Sequence, residues 1–195
     1  MDLEEGLKLS ADLKAEIRII SPANLLLNAI VVPGEKTKEG LIIEAVTIPW
    51  FEIVELLKSD WTLAYKIPPY KWEEIIAGAY KRAGFDEVTL TPRSGDRGRD
   101  VIAVKRAIGL IRVMDQVKAY APGRLVTAND VRAITRVLHG DGASKGFLTT
   151  TSDFAPRMSK DPLIVKFIPS RLELVNGEML QKRLEMLAEG RRPYS

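Results

Sequence analysis

Arg99-Asp100-Val101-Ile102-Ala103-Val104-Lys105-Arg106-Ala107-Ile108-Gly109-Leu110-Ile111-Arg112-Val113-Met114-Asp115-Gln116-Val117-Lys118 is the stretch on which the reading of this chain turns. Val101 to Lys105 reads as a strand, and Ile111 to Tyr120 as another. The connection near Gly109 is short enough to make the pair a hairpin. Side chains alternate across a strand. Ile111, Val113, Asp115 and Val117 therefore share one face, and Arg112, Met114, Gln116 and Lys118 share the other. Gln116 and Lys118 point the same way, beside the strand that Asp100 begins.

Upstream of the hairpin, Trp72, Ile75, Ile76, Ala79, Tyr80 and Ala83 form the i, i+3, i+4, i+7, i+8, i+11 stripe of an amphipathic helix that stops at Gly84. Glu87 to Thr91 reads as a strand ended by Pro92, and Arg93-Ser94-Gly95-Asp96-Arg97-Gly98-Arg99 as the loop that delivers Asp100. Downstream, Thr127 to Leu138 is a helix capped by Thr127 or Asn129, with Val131, Ile134 and Leu138 inward. Gly146 to Thr150 is a strand, and Ser152 or Asp153 caps a short helix. Ile164 to Ile168 and Leu172 to Val175 are extended, and Glu178 to Ala188 is a closing helix. From Tyr70 the order is α, β, β, β, α, β, α, β, α. It predicts an α/β fold, a mixed central sheet with helices on both faces.

The first 67 residues are harder to interpret. They hold a helical pattern around Leu7 to Leu13, a strand-like Ile17 to Ile20, a turn at Pro33-Gly34-Glu35-Lys36, a strand from Gly40 to Ile48 and a helix from Trp50 to Leu57 after Pro49. We expect residues 1–67 to be an N-terminal segment packed on the core, and residues 68–195 to form the principal domain.

Composition narrows the chemistry. The chain has 195 residues, 46% hydrophobic and 28% charged, enough for one well-filled domain. No apolar run approaches the roughly 18 residues needed to cross a bilayer, and the start is acidic, so the expectation is a soluble, cytoplasmic protein. With no cysteine and one histidine, His139, disulfides, structural zinc and cysteine nucleophiles are excluded. Hydrolysis would have to run on carboxylates, lysine and a hard cation. The net charge of +3 is uneven: residues 1–67 carry 7 Lys+Arg against 11 Asp+Glu (−4), and residues 68–195 carry 22 against 15 (+7). A basic second part fits a polyanionic partner.

Helix phase selects a fourth residue for the hairpin site. At about 100° per residue from Trp72, the apolar stripe centres near 20°, with Glu73 at about 100° and Glu74 at about 200°. Glu73 borders the buried face, whereas Glu74 is expected in solvent.

These residues resemble the Mrr-like branch of the PD-(D/E)xK restriction endonucleases over roughly Trp72 to Leu187. The likeness lies in Trp72-Glu73 and Ala83-Gly84-Phe85, the loop from Thr91 to Asp100, Asp115-Gln116-Val117-Lys118, and the junctions Gly146 to Phe154 and Leu172 to Leu180. The resemblance implies a restriction-endonuclease-like fold and a metal-dependent DNA endonuclease. Asp100 would be the metal-binding aspartate, Gln116 would take the place of the more usual glutamate, and Lys118 would be the motif lysine. Mg²⁺, with Mn²⁺ able to substitute, would be held by Asp100, Gln116, Glu73 and the backbone carbonyl of Val117. DNA is the implied partner, and cutting both strands implies a homodimer. Restriction of foreign or modified DNA is the expected role. A structure-selective nuclease of repair or junctions, or a DNA-binding module that has lost catalysis, are the alternatives.

Other residues carry weaker signals. Asp96 is expected to shape its glycine-flanked loop, with a second acidic metal ligand as the other reading, and Asp115, on the opposite face from Gln116, is not expected in catalysis. Arg93, Arg97 and Arg99, and on the helix Arg132 and Arg136, are candidates for DNA phosphates, with solvated surface charge as the other reading. His139 is expected to serve the end of its helix, and Trp50, Trp61 and Trp72 to be core.

Overall fold

The computed structural model describes residues 26–92, 100–140 and 142–191. Seven strands form one sheet: β1 (Val31–Lys36), β2 (Leu41–Val46), β3 (Glu87–Leu90), β4 (Val101–Arg106), β5 (Leu110–Lys118), β6 (Lys145–Thr150) and β7 (Leu172–Val175). They lie side by side in chain order. Pairing is antiparallel from β1 through β5, then parallel for β5–β6 and β6–β7. The helices are α1 (Ile48–Ser59), α2 (Pro69–Arg82), α3 (Ala128–Gly140) and α4 (Gly177–Ala188). The result is the mixed sheet with helices on both faces that the alternation and the helical stripes predict. Among the described residues no helix is long and apolar enough to cross a membrane.

Two apolar clusters, one on each face, follow from the period of two along β4 and β5. Val101, Ala103 and Val113 join Trp50, Trp72, Tyr80, Leu180 and Leu184 under α1, α2 and α4. Ile102, Val104 and Met114 join Val131, Ile134 and Leu138 under α3. Trp50 and Trp72 are fully buried, and each indole nitrogen is satisfied by a backbone carbonyl, of Ile75 and Ala64 respectively, both at 3.0 Å. Ala64 and the fully buried Ile30 and Ile43 precede Pro68 and belong to the first cluster, so the sheet and its core run across that point without a break.

Four local expectations need correction. Pro33 to Lys36 is not a turn but part of β1, whose register shifts on either side of Pro33, an arrangement an edge strand tolerates. The reversal lies at Thr37 to Gly40, where the Thr37 amide donates to the Gly40 carbonyl at 2.7 Å. Gly40 is required there: at φ 150° a Cβ would stand 1.9 Å from the Leu90 carbonyl oxygen. No α-helix follows Ser152 and Asp153. The Asp153 carbonyl accepts from the Val126 amide at 2.9 Å, tying the segment to Val126 as a bridge, and only Met158–Lys160 makes a short helical turn. Ile164 to Ile168 is turn, not extended. Asp161 gathers the amides of Leu163, Ile164 and Val165 onto its side chain and carbonyl, a local competition that overrides the β preference of the sequence. The fourth correction, at Glu74, concerns the site. The patterns at Leu7 to Leu13 and Ile17 to Ile20 lie outside the described residues.

The packing of α2 on α1 gives a stability test. A Cβ added at Gly78 would lie 2.6 Å from the ring of the fully buried Trp50. Gly78→Ala is expected to destabilise the fold by about 1–3 kcal/mol despite the better helix propensity of alanine, read as a lower urea midpoint with unchanged slope.

Candidate active site

The C-terminal end of β5 lies beside the start of β4, so Asp100 comes to the strand positions at Asp115 to Val117. Asp100 bonds to both neighbouring strands. Its amide donates to the Asp115 carbonyl at 2.9 Å, and its carbonyl accepts from the Thr91 amide at 3.1 Å. A regular strand residue sends both groups to one neighbour, so the backbone is turned at Asp100. The turn lays the carboxylate on β5, where Oδ2 accepts from the Val117 amide at 2.6 Å. The side chain thus continues a ladder that the backbone of β4 has left.

Gln116 follows Met114 on the α3 face, as alternation requires. It is 7% exposed, and its Oε1 has no hydrogen-bond partner among the described residues. An unpaired buried carbonyl costs on the order of 1–3 kcal/mol. A cation that takes up that oxygen would remove the cost. Lys118 is half-buried on the same face. Its carbonyl is fixed to the end of β6 by the Thr150 hydroxyl at 2.7 Å and the Thr151 amide at 3.3 Å. Its ammonium acts electrostatically on Asp130 in the first turn of α3. Burial alone would raise the Asp130 carboxyl. The bonds from the Thr127 amide and hydroxyl, then the charges of Lys118 and Arg124, outweigh it and hold the group below the usual aspartate range. Thr127 and Asp130 are reciprocally bonded, so of the two candidate caps Thr127 is the one used.

Glu73 comes to this end of the sheet from the other side. It lines a pocket of about 320 Å³ with Glu74, Tyr70, Leu90 and Thr91, and Thr91 is bonded to Asp100. Glu74 is not in solvent: its side chain is 22% exposed and paired at 2.9 Å with Lys71, itself on the buried flank of α2. The helical wheel placed the stripe but not its lysine neighbour. Among the described residues no group of three His, Cys, Asp or Glu converges, so a cation here would rely on a neutral carbonyl as well as carboxylate.

The remaining candidates separate. Arg132 is taken by Asp161 and by Asn129, whereas Arg136 is exposed on α3. Arg93, Asp96, Arg97 and Arg99 lie outside the described residues, as does the side chain of His139.

Asp115 has a structural part that the sequence reading did not assign. It is 2% exposed, and its Oδ2 accepts from the Tyr80 hydroxyl at 2.9 Å and the Thr149 hydroxyl at 3.0 Å. Oδ1 has no partner among the described residues, and Asp115 lines a cavity of about 30 Å³, room for about one water. Burial pushes its carboxyl up to about 7. A charged residue between Val113 and Val117 on an apolar face was the available signal.

The family profile Mrr_cat, restriction endonuclease, matches residues 64–184, and the chain therefore belongs to that family of DNA endonucleases. No curated protein matches the sequence. Among solved structures, the chain is similar to the DNA modification-dependent restriction endonuclease AspBHI, with TM-score 0.47 and 22% identity over 76% of this chain and 38% of that one. It is also similar to the MspJI restriction endonuclease in complex with a 27-mer oligonucleotide, with TM-score 0.46 and 17% identity over 74% of this chain and 34% of that one. The chain thus spans little more than a third of the length of either.

Asp115 yields a pH test. Its carboxyl is raised on folding, so the native state holds a proton that the unfolded chain releases between pH 3.8 and about 7. Its contribution to stability is therefore greatest at acid pH and falls as pH rises through that window. Asp115→Asn, measured in EDTA, should gain stability relative to the parent protein between pH about 5 and about 8. A stability difference independent of pH would refute the assignment.

Proposed function

We propose that this chain is the nuclease unit of a restriction system, hydrolysing phosphodiester bonds of foreign or modified DNA with a hard divalent cation. The observation that carries the reading is the buried Gln116 carbonyl, without a hydrogen-bond partner among the described residues, one position from Val117, whose amide donates to the Asp100 carboxylate, with Lys118 on the same face.

These donors suit Mg²⁺, with Mn²⁺ as substitute, because both favour oxygen ligands. Asp100 and Gln116 would hold the ion, with the Val117 carbonyl, which points to the same strand edge as the amide bound by Asp100, and Glu73 from α2. Bound there, the metal supplies charge neutralisation at the phosphate and lowers the pKa of a coordinated water. Asp100 provides a negative charge, and Gln116 a ligand without charge. Lys118 orients the attacking water and offsets charge that builds on the phosphate. Its carbonyl is clamped to β6, so the ammonium swings from a fixed base. Since duplex cleavage needs a cut in each strand, two copies acting together, a homodimer, complete the reading, and the cytoplasm is where a restriction nuclease meets incoming DNA.

Plasmid nicking and linearisation with Mg²⁺ or Mn²⁺ tests this. Asp100→Ala and EDTA should each abolish cleavage. Lys118→Ala should lower kcat by at least about a hundredfold with DNA affinity kept, and Gln116→Ala should raise the Mg²⁺ concentration needed for half-maximal rate. DNA binding without cleavage under both metals would overturn the hydrolytic reading. Glu73→Gln should cost more activity than Glu74→Gln, whose carboxylate is committed to Lys71.

A further inference from the structure

The segment that leaves β5 carries an arrangement that the catalytic set does not use. Tyr120 follows Lys118 by two residues, and its carbonyl accepts from the Thr151 hydroxyl at 2.7 Å, so the backbone beneath its ring is fastened to the end of β6. Ala121-Pro122-Gly123-Arg124 then reverses the chain. The Arg124 amide donates to the Ala121 carbonyl at 3.1 Å, Gly123 has φ 80°, and proline stands at the second position, the requirements of a type II turn. The reversal folds Arg124 back onto Tyr120, with the guanidinium carbon 4.0 Å from the ring centroid. The far side of the turn is fixed as well, since Val126 is fully buried and bonded to Asp153 and Ala155.

This stack holds an exposed cation in place, and the free energy of ordering a long side chain is spent in folding rather than in binding. Arg124 has no ion pair with any described residue. Lys118 and Arg124 both act on Asp130, which puts them on the same side of the sheet, but both hydrogen bonds that Asp130 accepts come from Thr127 at the helix cap. The planar fork of donors is thus left for a ligand, and a guanidinium matches a phosphate in two parallel bonds. A cationic ligand would be repelled, and a neutral acceptor would gain less than an anion.

We propose that Tyr120 and Arg124 form a preset clamp for a backbone phosphate of the DNA strand being cut, adjacent to the phosphate at which Lys118 acts. The clamp rests on the reading of the site as a DNA nuclease. It contacts no base edge, so it serves affinity and register and carries no sequence information. Tyr120 is a positioning residue and acts through Arg124.

Anisotropy titration of a labelled DNA duplex with the full chain in Ca²⁺, at several salt concentrations, tests it together with plasmid cleavage in Mg²⁺. Arg124→Ala and Tyr120→Leu should each weaken binding about tenfold on duplexes of unrelated sequence and methylation, the loss of one charged contact. Arg124→Ala should also flatten the slope of log affinity against log salt by about 0.9, and its effect on cleavage should fall on KM. The double variant should be no worse than Arg124→Ala alone, because the ring acts through the guanidinium. Lys58→Ala on α1 removes an equal charge elsewhere and should keep the parental affinity. Parental affinity and salt slope in Arg124→Ala would overturn the clamp, as would additive losses in the double variant. If the parent protein cleaves and Asp100→Ala does not, such a result removes the clamp alone. If the parent protein neither binds nor cleaves DNA, the reading beneath it falls too.

Discussion

The antiparallel register of β4 and β5, with Val101 opposite Asp115 and Ala103 opposite Val113, is the constraint from which the rest follows. A slip of one residue would exchange the two faces of β5, sending Gln116 and Lys118 into the cluster under α2 and α4 and Met114 and Val113 out of theirs. The apolar residues on both faces of the hairpin therefore enforce the alignment of the polar ones. Core packing and the assembly of the site are one requirement, since the same strands satisfy both.

Asp115 ties that hairpin to its surroundings at a cost. A buried carboxylate is unfavourable, and two hydroxyl donors only partly compensate it. Those donors come from different elements, Tyr80 on α2 and Thr149 on β6, while the Asp115 carbonyl receives the Asp100 amide. One residue thus joins the helix that bears Glu73, the strand that bears Lys118 and the start of the strand that Asp100 precedes. The polar network selects one arrangement among several that an all-apolar layer would tolerate.

What could be read from the chain follows the range of the interactions involved. The period of two along β5 and the stripe of α2 are local, and they gave the sheet, its helices and the shared face of Gln116 and Lys118. The partners of Asp115 are 35 and 34 residues away in sequence, so alternation placed its carboxylate inside without naming what meets it there. At Ile164 to Ile168 a β-branched composition lost to hydrogen bonds onto Asp161, whose carbonyl takes the Ile164 and Val165 amides and whose side chain takes that of Leu163, a competition between a weak preference and specific bonds. Glu74 went astray because a helical wheel counts apolar residues and overlooks a lysine stem lying along the apolar flank. Arg124 is not legible in the sequence for another reason: Pro122-Gly123 announces a turn, and only the folded chain reveals what the turn carries back.

The change of strand direction at β5 bears on how such a molecule diversifies. From the end of β5 the chain travels through Tyr120, Arg124 and α3 before it re-enters the sheet at the opposite end as β6. Asp100, Gln116 and Lys118 are held by bonds among strands, and that long excursion passes outside them. Substitutions and insertions in its exposed turn, Ala121 to Arg124, leave the bonds among those strands in place, whereas α3 packs on Met114 and is not free to vary. The contact with nucleic acid that we propose for Tyr120 and Arg124 can therefore be altered while the strands keep their arrangement.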